Sequence, residues 1–127
     1  MVAPAPGRIL IVDDEPDIRT TLQALLELKG YQVETSGTCR DAVERIARSA
    51  DTPYRVAIID IRLPDGLGIE VLKTANRLTP KTICLMMTAY PTPEVEADSR
   101  AAGAADYFVK PFSIQQITDF ITRTPAS

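Results

Sequence analysis

The chain has 127 residues and a mass of 13.9 kDa, the size of one domain with a single hydrophobic core. Its net charge of −3 and isoelectric point near 4.9 argue against electrostatic binding to nucleic acid or to an anionic membrane. Histidine is absent from the sequence, which excludes histidine metal sites, histidine-based catalysis and phosphohistidine on this chain. Two cysteines outside any CxxC motif indicate a reducing compartment, and no apolar run is long enough to span a membrane.

Apolar runs and helical patterns alternate from the start of the chain. The run Arg8–Val12 is typical of a strand that is buried on both faces. Pro16 suits the first turn of a helix, whose apolar face would comprise Ile18, Leu22, Leu25 and Leu26. Residues 31–35 predict a second strand. Thr38 then predicts the N-cap of a second helix, with Asp41 at the reciprocal capping position. The apolar stripe of this helix would be Val43, Ile46, Ala47 and Ala50.

A third strand is predicted at residues 56–59, and it ends at Asp60. A loop with proline and glycine follows at residues 63–68. The next helix would turn Val71, Leu72, Ala75 and Leu78 inward. Residues 82–87 predict a fourth strand, which ends at Thr88.

The last third of the chain predicts two helices and one strand. A fourth helix is expected at residues 93–102 and a fifth strand at residues 107–109, ending at Lys110. Ser113 predicts the N-cap of the last helix, with Gln116 completing a capping box. Five strands alternating with five helices predict a parallel α/β sheet with helices on both faces.

Polar side chains follow four of the predicted strands directly. They are Asp13, Asp14 and Glu15 after the first, Asp60 after the third, Thr88 after the fourth and Lys110 after the fifth. Because ligands of such sheets bind at the carboxyl ends of the strands, these groups are expected in one pocket. Neighbouring carboxylates repel unless a cation neutralises them, and an oxygen-rich set suits Mg²⁺. An aspartate there can accept a phosphoryl group, with the lysine and threonine stabilising its oxygens.

Each of these residues also has a simpler interpretation when it is taken alone. Acids before a helix are often caps or partners of the helix dipole. Asp60 before a loop suits a turn, Thr88 suits a strand end, and Lys110 suits a solvated charge. The prediction of a phosphoryl site therefore depends on their joint placement.

Four segments together carry a family resemblance: ILIVDDEPDIR, VAIIDIRLPDGLGIEVL, MMTAY and GAADYFVKPF. In order and spacing they resemble the receiver domain of bacterial two-component response regulators. The resemblance implies a flavodoxin-like, doubly wound three-layer sandwich with strand order 2-1-3-4-5. It implies a receiver domain at residues 8–123, between a flexible lead-in at 1–7 and a tail or start of a linker at 124–127.

The resemblance also implies a role for individual residues. Asp60 would be the phosphoacceptor. Mg²⁺, for which Mn²⁺ can substitute, would be held by Asp14 directly, by Asp13 largely through water, by Asp60 and by the backbone carbonyl of Arg62. Thr88 and Lys110 would stabilise the phosphoryl group, and Tyr107 would turn inward when Thr88 moves. A cis peptide bond is expected before Pro111.

The implied function is a cytoplasmic signalling switch rather than an enzyme for an external substrate. A histidine kinase or histidine phosphotransfer protein would donate the phosphoryl group. Phosphorylation would change the face formed by helix four, strand five and helix five, and so control an output protein or a linked effector domain. Direct contact with nucleic acid or membrane is not expected.

Two other functions compete with the switch. A Mg²⁺-dependent phosphatase that forms an aspartyl-phosphate usually needs a DxD motif and a cap insertion, and neither is present. An unphosphorylated receiver-like scaffold for protein contacts is the second alternative.

Two helices depart from the family pattern. Helix four places Ser99 and Arg100 where apolar residues are usual, which predicts a short, poorly buried helix that is mobile before phosphorylation. Helix five lacks the Glu and Arg that DNA-binding relatives use to pair two receivers, so the dimer mode and the output stay open.

Overall fold

The fold is an alternation of strands and helices, seen in a computed structural model that describes residues 7–124. Its elements in chain order are β1 (Arg8–Val12), α1 (Pro16–Leu28), β2 (Gln32–Ser36), α2 (Cys39–Arg48), β3 (Val56–Asp60), β4 (Arg62–Leu63), β5 (Gly66–Leu67), α3 (Gly68–Leu78), β6 (Ile83–Thr88), α4 (Pro93–Ala101), β7 (Asp106–Val109) and α5 (Ile114–Arg123). Apart from Gly7 and Thr124, the predicted lead-in and tail lie outside the described residues. Between residues 7 and 124, no helix has the length and apolarity to cross a bilayer.

Five strands form one parallel sheet in the order β2-β1-β3-β6-β7. Counting these five strands along the chain, this is the predicted order 2-1-3-4-5, which is thereby confirmed. The strands β4 and β5 form a separate antiparallel hairpin of two residues each. This hairpin lies in the segment predicted as a loop, because two-residue strands are too short to show an alternating pattern.

Alternate side chains of the central strands enter two separate cores. One core packs Leu10, Val12, Ala57 and Ile59 against α2 and α3. The other packs Ile9, Ile11, Val56 and Ile58 against α1 and α5. All five residues of β3 are buried, as expected for a strand covered on both faces. The predicted three-layer sandwich is confirmed.

The helices α2 and α3 bury different residues from those predicted. The buried residues of α2 are Cys39, Ala42 and Ile46, whereas Ala47 is exposed and Ala50 lies beyond the helix. The alanines carry too little apolar surface to orient the helix, and burial of Cys39 shifts the stripe. In α3, Leu78 is 39% exposed because it occupies the last turn.

Capping was predicted correctly at one helix and half correctly at another. Ser113 and Gln116 form both hydrogen bonds of the capping box of α5. Thr38 caps α2 by accepting from the amide of Asp41. The Asp41 carboxylate accepts instead from Ser36 Oγ at 2.5 Å and from Arg45 Nε at 2.9 Å, so no reciprocal bond closes the box.

The helix α4 is the most weakly packed of the five helices described. It has nine residues, of which only Ser99 is buried. The prediction of a short, poorly buried helix is confirmed. Within residues 7–124, two buried side-chain hydroxyls make no hydrogen bond, and they belong to Ser99 on α4 and Tyr107 on the adjacent β7. Burial raises the pKa of Tyr107, and the negative charge of Glu96 adds to this effect. Each side of the contact between α4 and β7 therefore carries a buried hydroxyl group without a hydrogen-bond partner.

Candidate functional site

The carboxyl edge of the sheet carries the predicted polar cluster. Val12 and Ile59 are register partners on β1 and β3, so Asp13 and Asp60 follow side by side. Thr88 ends β6 opposite Val109, and Lys110 follows directly. A cleft of about 240 Å³ opens at this edge. Its lining residues are Asp14, Glu15, Asp60, Arg62, Thr88, Ala89, Tyr90 and Lys110.

The ammonium group of Lys110 lies between two buried carboxylates. Its Nζ is 2.8 Å from Asp13 Oδ2 and 2.8 Å from Asp60 Oδ2, and 3.4 Å from Glu15 Oε1. The side chains of Lys110 and Asp60 are 10% and 9% exposed, and Asp13 is fully buried. Three carboxylates thus share one cation, which leaves the cluster with an excess of negative charge.

Burial and charge shift the ionisation of this cluster. Burial raises the pKa of Asp60, although hydrogen bonds from Lys110 and from the Arg62 amide act in the opposite direction. The negative charge of Asp13 also raises the pKa of Asp60. Burial alone would lower the pKa of Lys110, but hydrogen bonds to Asp13 and Asp60 outweigh it and raise that pKa. Lys110 is therefore charged at neutral pH, and the ionised form of Asp60 is destabilised by its surroundings.

The loop after β3 closes tightly on the strand and orients the Asp60 carboxylate. The Arg62 amide donates to Asp60 Oδ1 at 3.1 Å, and the Gly68 amide donates to the Ile61 carbonyl at 2.7 Å. A Cβ atom at residue 68 would lie only 2.0 Å from the Asp60 carbonyl oxygen. Glycine is required at residue 68 because no side chain fits between the loop and β3.

The carboxylates of this edge fit a hard divalent cation. Ligand oxygens of Asp13, Glu15 and Asp60 all lie within 4.8 Å of one another. Asp14, predicted as a direct ligand, is exposed and outside that trio, although it lines the same cleft. Glu15 was not in the predicted ligand set, and its only signal was its place in the run of three acids after β1. An all-oxygen donor set of this kind is the environment that Mg²⁺ and Mn²⁺ prefer.

Thr88 connects the cleft to the segment that leads to α4. The side chain is buried, and its Oγ1 accepts a hydrogen bond from the Tyr90 amide at 3.0 Å. Its carbonyl accepts from the Lys110 amide at 2.8 Å. Tyr107, in contrast, does not line the cleft and is buried within β7. The Lys110–Pro111 peptide bond is cis, the isomer that the resemblance implied.

The mouth of the cleft has a feature that sequence patterns did not predict. The Arg62 guanidinium stacks over the Tyr90 ring, 4.9 Å from its centroid, and joins the loops after β3 and β6. The Tyr90 side chain is 65% exposed, so it lies at the surface and not in the hydrophobic core.

Comparison with known proteins gives relatives over nearly the whole chain. A sequence model of the response regulator receiver domain matches residues 9–122. The regulatory protein AtoC of Escherichia coli K12 is 34% identical over 119 residues, which cover 94% of this chain and 25% of AtoC. The chain thus spans about a quarter of the length of this curated relative.

Solved structures of the same kind superpose closely on the chain. A CheY-like response regulator receiver domain protein from Methanospirillum hungatei JF-1 is 34% identical, with a TM-score of 0.82 and coverage of 91% of this chain and 90% of that one. The BeF3-activated DrrB receiver domain is 26% identical, with a TM-score of 0.81 and coverage of 92% and 95%. The sheet order, the acidic cleft and these matches agree, and the chain belongs to the response regulator receiver domains, the signalling switches of two-component systems.

Proposed function

We propose that the chain is the phosphoacceptor receiver of a two-component phosphorelay, with Asp60 as the phosphorylated residue. The donor is a histidine kinase or a histidine phosphotransfer protein, and the reaction depends on Mg²⁺. The observation that carries this proposal is the pairing of Lys110 with both Asp13 and Asp60, 2.8 Å from each, at the carboxyl edge of the sheet. Residues 8–123 constitute the receiver in this proposal, and the free cysteines suit a cytoplasmic location.

The chemistry follows from the groups around Asp60. A carboxylate oxygen of Asp60 attacks the phosphorus, the bond from phosphorus to the donor imidazole nitrogen breaks, and the imidazole leaves with the electron pair. The Arg62 amide and Lys110 hold the carboxylate in position for this attack. The charge of Lys110 stabilises the incoming phosphoryl oxygens. Mg²⁺ or Mn²⁺, held by Asp13, Asp14, Asp60 and the Arg62 carbonyl, supplies further neutralisation of those oxygens when bound.

The switch depends on a second use of the Thr88 hydroxyl. In the structure this hydroxyl accepts from the Tyr90 amide, so its proton is available to a phosphoryl oxygen. Movement of Thr88 toward the phosphoryl group displaces the segment before α4, and Tyr107 on β7 responds. The sparse packing of α4 supports this response. The face of α4, β7 and α5 then controls an output protein or a linked effector domain.

Intact mass spectrometry tests the proposal directly. The chain is incubated with Mg²⁺ and a small acyl phosphate, alongside D60A and the matched control D51A, which removes an exposed aspartate outside the cleft. We expect one added phosphoryl group in the wild type and in D51A, none in D60A, and none without Mg²⁺. A wild type that binds Mg²⁺ but gains no mass indicates either a need for a specific phosphohistidine donor or a very short-lived phosphate. A beryllofluoride complex is then prepared as a stable substitute for the phosphorylated state. A chain that neither gains mass nor binds Mg²⁺ refutes the proposal and favours the unphosphorylated scaffold.

A further inference from the structure

The β4–β5 hairpin, which follows Asp60, is hydrogen-bonded to the start of α2. Asp65 lies at its turn, between β4 and β5, and its carboxylate accepts two backbone hydrogen bonds from the start of α2. Oδ1 accepts from the Cys39 amide at 2.7 Å, and Oδ2 accepts from the Arg40 amide at 3.0 Å. The two segments are separated by 25 or more residues in the chain, so this is a tertiary contact.

Asp65 accepts hydrogen bonds from two amides at the start of α2 that have no partner within the helix. A helix leaves its first four amides without intrahelical partners. In α2 the Asp41 amide donates to the Thr38 hydroxyl at 3.1 Å, and the Ala42 amide makes the first bond within the helix, to the Thr38 carbonyl. Asp65 accepts from the Cys39 and Arg40 amides, and its negative charge interacts favourably with the positive end of the helix dipole. These backbone hydrogen bonds lower the pKa of Asp65, which keeps the carboxylate ionised.

A third contact fixes the same hairpin to α2. The thiol of Cys39 donates to the Leu67 carbonyl at 3.4 Å. Burial raises the pKa of this thiol to about 11, so it stays protonated and remains a donor. The turn and the second strand of the hairpin are therefore both held by the first residue of α2.

The opposite end of the hairpin orients the phosphoacceptor. Arg62 begins β4, pairs with Leu67 and donates its amide to Asp60 Oδ1. Gly68 closes the loop through its bond to the Ile61 carbonyl. A series of hydrogen bonds through the hairpin thus connects the start of α2 to the carboxylate of Asp60 and the backbone of Arg62.

We propose that Asp65 is a positioning residue for the phosphorylation site, which it orders by anchoring the β4–β5 hairpin to the start of α2. This role rests on the proposed function, because it concerns the residue that accepts the phosphoryl group and the backbone that helps to hold Mg²⁺. Asp65 does not line the cleft, so its effect on the phosphoryl group and the cation would pass through Arg62 and Asp60.

The test compares Asp65 with a residue that caps the same helix but does not touch the hairpin. The variants are D65A, D65N and the control T38A, which removes the side-chain bond to the Asp41 amide. Three quantities are measured for each: the Mg²⁺ dissociation constant by calorimetry, the rate of phosphorylation by an acyl phosphate at saturating Mg²⁺, and the urea midpoint. The chemical shifts of the Arg62 and Gly68 amides report the hairpin position directly.

D65A and T38A are expected to lower the urea midpoint similarly, since both weaken the start of α2. D65A alone should weaken Mg²⁺ binding about tenfold and slow phosphorylation, as loss of an outer supporting group does at metal sites. It should also shift the Arg62 and Gly68 amide resonances. D65N keeps one acceptor oxygen, so its effects should be intermediate, and it serves if D65A does not fold.

Equal Mg²⁺ affinities and phosphorylation rates in D65A, D65N and T38A would overturn the positioning role and leave Asp65 as a helix cap. A wild type that neither binds Mg²⁺ nor accepts a phosphoryl group would refute the proposed function, and the positioning role with it. The two failures are distinguishable because the first leaves the wild type active.

Discussion

The ionised carboxylate of Asp60 destabilises the folded state, so it lowers the free energy of unfolding. Its attraction to Lys110 at 2.8 Å is worth about 6 kcal/mol at an effective dielectric constant of about 20. Asp13, with its ligand oxygen within 4.8 Å, repels it by at least about 3.5 kcal/mol on the same scale. The remaining attraction, at most about 2.5 kcal/mol, is smaller than the several kcal/mol needed to remove a carboxylate from water. The balance agrees with the raised pKa of Asp60.

Substitution of Asp60 by asparagine should therefore stabilise the protein at neutral pH without Mg²⁺. We expect D60N to exceed the wild type in free energy of unfolding by about 1 kcal/mol, the usual size of a single-substitution effect. The side-chain amide introduced by D60N keeps an acceptor oxygen for the Arg62 amide, and Lys110 keeps Asp13 as its partner, so no buried charge is left unpaired.

The pH dependence has a definite sign. A carboxyl with a raised pKa binds its proton more tightly in the folded state, so its contribution to stability is lost as pH rises through that pKa. The advantage of D60N should shrink as pH falls through the raised pKa of Asp60, because the wild-type carboxyl then becomes protonated and neutral. Added Mg²⁺ should stabilise the wild type more than D60N, since it binds the folded site preferentially.

Urea denaturation followed by circular dichroism at two pH values, with and without Mg²⁺, measures these differences. The matched control is D51N, an exposed aspartate for which we expect a change within about 0.5 kcal/mol. A D60N variant that is less stable than the wild type at neutral pH would show that the Lys110 attraction outweighs burial and repulsion, contrary to this reasoning.

Three further predictions concern the loop, the sheet edge and α4. G68A should lose about 3 kcal/mol of stability in urea denaturation because its added Cβ collides with the Asp60 carbonyl. The control G37A should lose much less, because its Cβ meets only the flexible end of an arginine side chain. Equal losses in the two variants would contradict this explanation. E34Q should lose about 0.5 kcal/mol of free energy of unfolding at neutral pH, a value reduced for solvent screening. The lowered pKa of Glu34 means that only its ionised form stabilises the fold, so the loss should vanish as pH falls below about 4. A loss that is independent of pH would exclude this cause. Amides of residues 94–101 should exchange hydrogen faster than those of β3 in the unphosphorylated protein, and comparable protection would show that α4 is not mobile.

Apolar runs predicted the bounds of β1 and β3 more closely than those of β6 and β2, which both lie one residue later than predicted. The bounds of β1 were predicted correctly, and β3 differs by one residue. β2 begins one residue later than predicted, at Gln32, because the Tyr31 amide bonds to the Leu26 carbonyl and still belongs to the end of α1. A hydrogen bond of this kind depends on where the helix ends, which an apolar pattern does not specify.

The composition of the cleft was predictable, but the directions of its acidic side chains were not. Three acids follow β1, and the sequence does not distinguish which of them point into the cleft. The start of α1 separates two of them: Glu15 is its extended N-cap residue and reaches Lys110, whereas Asp14 lines the cleft outside the trio of Asp13, Glu15 and Asp60. The contact of Asp65 with α2 has no local signal, because it joins segments that meet only after the sheet has formed.

The unpaired hydroxyls of Ser99 and Tyr107 bear on the energy that activation requires. A buried polar group without a partner costs roughly 1–3 kcal/mol, so the resting contact between α4 and β7 starts from a raised free energy. Reversing a two-state population from 1:99 to 99:1 takes about 5.5 kcal/mol of differential binding. A rearrangement that gives both hydroxyls water or protein partners recovers part of that amount. In the proposed switch, the phosphoryl group at Asp60 would have to supply only the remainder.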